Sequence, residues 1–283
     1  MKNLKKIGVA LLTIAMFVGI MSFASCEPRH APRDRPPESA VPQPDEIEVN
    51  QSRTPDELGF QLEPPESGEE YVLLVTTMGE IRIRLFPEST PLAYLNFKTH
   101  VQNGYYDGLL FHRVVEDFML QTGDPLGTGT GGESIWGGGF GVEANRNLKH
   151  FRGALSMANR GAGHPQSNTS QFFIVQNSEL DENSIHLLET ALEAGFITRR
   201  ELEMYMEHGG TPMLDPHIST QLQGIFPQAQ PFPGHPVFGQ VFYGLDVVDA
   251  IAAVEVEAQP GGGEISRPVE EIRIITATVE VMP

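Results

Sequence analysis

Along EIRIRLF, Ile81, Ile83 and Leu85 alternate with Arg82 and Arg84, the period-two pattern of a strand with one face buried. YVLLVTT precedes it, and Met78-Gly79 between them marks a hairpin turn. LLFHRVV, FMLQTG, GALSMA, SQFFIV, PVFGQVF and the closing EEIRIITATVEV add further strands. About eight short strands predict a closed eight-stranded antiparallel barrel in a mainly β fold, rather than a parallel α/β sheet. Thr90-Pro91 reads as an N-cap followed by proline at the first helical position, opening LAYLNFKTHVQ, which stops at Gly104. LDVVDAIAAV near 245–254 places Leu245, Val248 and Ala252 on one helical face. Two such helices would cap the barrel. Residues 182–208 read as an inserted helical pair, with a capping box at Thr198–Glu201 and Gly209 at its end. Residues 216–233 show no period and read as a loop.

The N-terminus is patterned differently. Lys2, Lys5 and Lys6 precede the apolar run IGVALLTIAMFVGIM, then FASC ends at Cys26. The run is short for a membrane span. The charged start, apolar middle and small residues make residues 1–25 a signal peptide, and FASC resembles a bacterial lipobox with Cys26 as the acylated residue. Cys26 is the chain's only cysteine, so no intramolecular disulfide can form. Residues 27–70 contain nine prolines, twelve acids, four arginines and one aromatic, Phe60. Such a segment buries too little apolar surface to offset its ordering entropy, so 26–70 reads as a disordered acidic linker. At ~3.1 Å per residue in polyproline II its reach is ~140 Å. Residues 71–283 are then the folded domain.

Composition changes the picture mainly by exclusion. The 283 residues are 40% hydrophobic and 20% charged, with a formal charge of −18. Without clustered Lys and Arg, nucleic acid is not expected as a partner. The glycine-rich run GTGTGGESIWGGGFG, 127–141, is followed by no helix and no Gly-Lys-Ser/Thr, so it reads as a structural loop rather than a nucleotide cradle. Nine histidines include no HExxH and have no cysteine partners in a metal-site spacing, so no metal or other cofactor is expected. Ser156 and Ser170 lie outside any G-x-S-x-G. What remains is Arg113 in FHRVVEDFMLQTGD, 111–124, close to Phe118, Met119 and Gln121. Alone, an arginine on a strand is usually a solvated surface residue.

FHRVVEDFMLQTGD, GTGG at 129–132, GALSMAN at 153–159, SQFFI at 170–174 and HPVFGQV at 235–241 together resemble the cyclophilin family of peptidyl-prolyl isomerases. The likeness runs from about Tyr71 to Val281, in family order except at the insertions 182–210 and 216–233. It implies an eight-stranded barrel capped by two helices. It also implies a reaction, rotation about X-Pro bonds, that breaks no covalent bond and so needs no nucleophile or metal. Position by position, Arg113 matches the catalytic arginine and Gln121 the amide that holds a substrate carbonyl. Phe118, Met119 and Phe173 match the proline-pocket walls, with Leu214 completing them; Ala158 and Asn159 match the segment that pairs with the peptide backbone.

TPMLD at 211–215 and ELD at 179–181 can each match the family's Trp-Leu-Asp segment. Choosing the first puts Met213 where the family has a tryptophan important for cyclosporin binding, so weak drug binding is expected. The pocket histidine is His235, with His217 as rival. The resemblance implies an isomerase assisting the folding of exported proteins, acting on X-Pro segments as a monomer. It would be outside the cytoplasm, tethered to a bacterial membrane, inner or outer, through its N-terminal lipid. The alternative is a catalytically weak proline-peptide-binding or scaffolding module.

Overall fold

The computed structural model describes residues 42–47, 58–159, 167–215, 217–218, 234–260 and 263–283. Cys26, residues 1–25, most of the acidic linker and nearly all of 216–233 lie outside the described residues.

The eight expected strands all form: β1 Glu70–Thr76, β2 Gly79–Leu85, β3 Arg113–Val115, β4 Met119–Thr122, β5 Ala154–Met157, β6 Phe172–Val175, β7 Val237–Tyr243 and, last in the chain, β10 Ile274–Val281. They make one sheet in the order β10-β1-β2-β7-β5-β6-β4-β3, with every neighbouring pair antiparallel. In the β1–β2 hairpin Val72 faces Ile83 and Leu74 faces Ile81, all four fully buried. The turn needs Gly79, whose φ is +141° and where a Cβ would meet Val247 at 2.7 Å.

The sheet curls into a half-barrel. Its edge strands, β3 and β10, are not paired along their length. A Leu110–Arg273 bridge spans the seam, with Phe111 N–H donating to the Ile272 carbonyl at 2.9 Å. This is a looser arrangement than the closed barrel expected from the strand count.

Helix α1, Pro91–Gln102, sends Phe97 into the core, where its ring meets Tyr106, Phe172 and Phe238 at centroid distances of 5.1–5.2 Å. Thr90 does not cap it, because its hydroxyl donates to the Phe86 carbonyl instead. The buried first-turn amides of Leu92 and Ala93 donate to the Glu143 carboxyl, 2.9 and 2.8 Å away. The acid sits at the positive end of the helix dipole, while burial, only partly offset by these two bonds, raises its pKa to about 7. Helix α4, Leu245–Ala252, buries Val248, Ile251 and Ala252 in the same core.

Helices α2, Glu182–Glu193, and α3, Arg199–His208, form the expected pair, with the Thr198–Glu201 capping box in place. They enclose a second apolar cluster of Phe151, Leu188, Ala191, Ile197, Met204 and Tyr205. A two-stranded hairpin of β8, Val256–Ala258, and β9, Ile265–Pro268, is an addition to the expected elements.

The linker also differs from its expected form near its end. Leu58 and Leu62 pack on the helical-pair cluster, and the Phe60 ring meets Phe86 at 5.2 Å. Gln61 is fully buried: its carbonyl accepts from Lys149 N–H at 2.7 Å, and its amide donates to the Lys149 carbonyl at 2.9 Å. A composition average over 27–70 hides this one amide, which satisfies backbone groups that no strand reaches.

Candidate active site

The register of β3, β4 and β6 explains how residues distant in sequence meet. Arg113 pairs with Gln121 across β3–β4, and Gln121 pairs with Phe173 across β4–β6. Directly opposed residues on antiparallel strands share a face, so the three stand abreast across the sheet. Alternation sends Val114, Leu120, Leu155, Phe172 and Ile174 into the main core. The opposite, outer face carries Arg113, Met119, Gln121, Phe173 and Val175. All four residues of β6 are buried because this outer face has its own cover.

That cover is an apolar cluster separate from the main core. Met119 and Phe173 are buried in it, with Phe86, Leu148 and Val237, and half-buried Phe118, Ala158 and Leu214 pack against it. His235 lies edge-on to the Phe173 ring at 5.1 Å and bonds through Nδ1 to the Met157 carbonyl at 2.9 Å. Burial, then the neighbouring His150, push its pKa down to about 3, so the ring is neutral at physiological pH. On another side Phe173 stacks near His150 at 6.2 Å. Asp215 fixes His150, accepting from its backbone N–H and ring Nδ1 at 3.1 and 2.7 Å.

Arg113 borders this cluster. Its Nη1 lies 3.3 Å from the Gln121 carbonyl oxygen and 3.6 Å from Met119 Sδ, and its Cζ is 5.7 Å from the Phe118 ring centroid, a cation–π distance. Its Nε and Nη2 donate to the two oxygens of Glu264, at 2.5 and 2.9 Å. Gln121 in turn donates to Gln171 Oε1 at 2.9 Å, and Gln171 donates to the carbonyls of Gly129 and Gly131. The glycine-rich loop is thus tied to the site; within it, Asp124 accepts backbone bonds from Leu126, Thr128 and Gly131. A small open cleft of about 90 Å³ lies beside Arg113's neighbours, lined by Gln121, the glycine loop, Ala158, Asn159 and Gln171.

The structure therefore gathers Arg113, Gln121, Phe118, Met119, Phe173, Leu214 and His235 around one apolar face, with Ala158 and Asn159 at the adjoining cleft. Asn159 donates to the Gly234 carbonyl at 2.8 Å, just ahead of His235. Met213 is 47% exposed on the turn Pro212–Leu214, directly before Leu214 of the pocket cluster. His217 lies 2.8 Å from Lys149 Nζ and 3.3 Å from Glu201, within a charged network instead of against Phe173. The two candidate Leu-Asp segments separate in the same way. Leu214 joins the pocket cluster and Asp215 anchors His150, whereas Leu180 packs with the helical pair and Asp181 caps α2. Glu264, Gln171 and His150 are the site neighbours that the sequence pattern did not single out. Among the described residues no three His, Cys, Asp or Glu side chains are grouped to hold a metal ion.

A curled eight-stranded antiparallel sheet thus carries an arginine, an amide and a phenylalanine abreast on its outer face, beside an apolar cluster. The cyclophilin type peptidyl-prolyl cis-trans isomerase/CLD family model matches residues 71–279, and the chain belongs to this family. A protein of Staphylococcus aureus (strain USA300) named as a peptidyl-prolyl cis-trans isomerase is 40% identical over 215 residues, covering 76% of this chain and 94% of the relative. A Staphylococcus epidermidis protein with the same name is 41% identical over 209 residues, 74% of this chain and 91% of its own. Among solved structures, a Cryptosporidium parvum cyclophilin type isomerase superposes with a TM-score of 0.53 at 26% identity, covering 76% of this chain and 99% of its own. A second structure of it, in the presence of the dipeptide Ala-Pro, gives 0.51.

Proposed function

We propose that this cyclophilin-type isomerase acts on X-Pro segments of exported proteins as they fold, with Arg113 and Gln121 carrying catalysis and the Phe173 cluster holding the proline ring. The supporting observation is the Arg113–Gln121–Phe173 row, which sets a fixed donor beside an apolar wall. The barrier to rotation is ~18–20 kcal/mol and comes from delocalisation of the nitrogen lone pair into the carbonyl. At the twisted transition state that pair is localised on nitrogen and the amide is less polar. A donor aimed at the nitrogen stabilises the pair, and the apolar wall of Phe118, Met119, Phe173 and Leu214 favours the less polar species. Lowering the barrier by ~7 kcal/mol corresponds to about 10⁵-fold. One charge-assisted hydrogen bond contributes only ~1.5–3 kcal/mol net. Positioning against Gln121 and electrostatic preorganisation supply the remainder.

Outside the described residues, the signal peptide and Cys26 support tethering to a bacterial membrane by an N-terminal lipid, with the acidic linker as a stalk for a monomeric domain. Residues 182–210 and 216–233 are read as insertions relative to the family. Met213 in place of the tryptophan supports weak cyclosporin inhibition. The reading is tested by NMR exchange on an Ala-Pro peptide, using soluble protein from Glu27 onward. Acceleration is expected; peptide binding without acceleration would make the domain a recognition module instead. Metabolic labelling with a fatty acid should mark the full chain but not Cys26→Ala, and equal labelling of both would remove Cys26 as the anchor.

A further inference from the structure

Arg113 spends two of its three nitrogens on Glu264, a residue far away in sequence. The pair is side-on and bidentate, Nε to one oxygen at 2.5 Å and Nη2 to the other at 2.9 Å. This geometry fixes the guanidinium plane as well as its position. The third nitrogen, Nη1, points back to Gln121.

Glu264 is itself held. It opens the β9 side of the β8–β9 hairpin, whose Gln259 N–H donates to the Glu264 carbonyl at 3.0 Å. The Gln259 side chain donates to the His112 carbonyl at 2.8 Å and to the buried Ser266 hydroxyl at 3.0 Å. So the hairpin grips the catalytic strand twice, at the backbone of residue 112 and at the side chain of 113. The Arg113 hydrogen bond holds the Glu264 carboxyl below its ordinary range, with a smaller contribution from Ser266, so this partner is ionised at neutral pH.

A carboxylate here has two opposed effects. It offsets the field of the guanidinium, and it stops a long, partly exposed side chain from swinging into solvent. Amide rotation moves no net charge, so a donor's direction matters more than its field, and fixing the plane dominates. We propose that Glu264 is a positioning residue for catalysis: with Gln259 behind it, it clamps the Arg113 guanidinium so that a donor faces the proline nitrogen of a bound peptide.

This inference rests on the isomerase site proposed above, and one set of measurements separates the two. Exchange kinetics on the Ala-Pro peptide are resolved into kcat and KM for wild type, Glu264→Ala, Glu264→Gln and Arg113→Ala. Glu264→Ala should lower kcat roughly threefold to thirtyfold with KM unchanged, as expected for a lost orientation. Glu264→Gln, which keeps one acceptor oxygen, should fall between it and wild type. The Arg113 Nε–H resonance should be protected from solvent exchange in wild type and exposed in Glu264→Ala. A kcat fall below about threefold, a rise, a loss confined to KM or an unchanged Nε–H signal overturns the clamp. If Arg113→Ala also keeps full activity, the site assignment itself fails.

Discussion

Two cations in this molecule, Arg113 and Lys149, each meet a glutamate at 2.5 Å, and their surroundings assign them different work. Lys149 is fully buried beneath the helical pair, with Glu201 almost equally hidden, His217 at 2.8 Å and Asp215 at 3.8 Å. Tyr205 closes the group by donating to Asp215 at 2.6 Å. Taking these charges out of water is costly, and only a nearly complete set of partners offsets it. Arg113 and Glu264 have side chains 31% and 45% exposed. Exposed pairs contribute ~0–1 kcal/mol to stability. The buried pair ties residue 149, next to Leu148 of the Phe173 cluster, to α3 of the helical pair; the open pair leaves its arginine partly exposed. On the proposed reading, stability and chemistry rest on different cations, so each can be perturbed alone.

The largest effect on folding is expected from Lys149→Ala. It leaves Glu201 and Asp215 buried without their cation, so unfolding free energy by urea titration should fall by ~3–5 kcal/mol. A loss below ~1 kcal/mol would mean that the network adds little and that the helical pair is held by its apolar cluster alone.

Acid should perturb the buried network next. Burial alone would raise the Glu201 carboxyl, but His217 and Lys149 bring it well below its ordinary range; Asp215 is likewise lowered, against its burial, by His150 and Lys149. Both are depressed in the folded state, so their stabilisation is full above the unfolded carboxylate values near ~4 and is lost as pH falls through the folded ones. Below pH ~4 these carboxylates should therefore add to the loss of unfolding free energy that His235 begins at higher pH, and the fall there should be less steep in Glu201→Gln. Equal slopes would remove Glu201 from the linkage.

The smallest effect should be that of pH on catalysis. His235, depressed to about 3, is already neutral well below pH 5. Its contribution to stability is present above the ordinary histidine value and is lost as pH falls toward the folded one. Arginine side chains in general stay charged throughout this range. The rate profile should be nearly flat from pH ~5 to ~9, and an inflection near 6.5 would put a titrating histidine in the reaction.

The same contrast explains what could be read from residues alone. Strand alternation reports which face is buried, so Ile81, Ile83 and Leu85 announced β2, whereas β5 and β6, buried at every residue, were strand candidates without it. Motif likeness then joined Arg113, Gln121 and Phe173, which the antiparallel register sets abreast. The partners were not readable. Glu264 follows a glycine run with no period, and its role depends on how a short, half-exposed hairpin folds back onto β3. Lys149 resembles any surface lysine until the helical pair closes over it. Gln61 lies in a stretch whose average composition argued for disorder, and Glu143, 51 residues along the chain from Leu92, replaces Thr90 at the start of α1. Long-range polar partners leave no periodic trace in sequence, whereas apolar faces do.

The most direct test measures activity and stability on one protein, Arg113→Ala. The account predicts that Ala-Pro exchange catalysis drops by roughly 10²-fold or more, a loss of at least ~2.7 kcal/mol of transition-state stabilisation. Unfolding free energy should stay within ~1 kcal/mol of wild type, as for the removal of an exposed pair. A variant that keeps its activity, or one that loses activity only because it unfolds, would contradict the division of labour between the two cations.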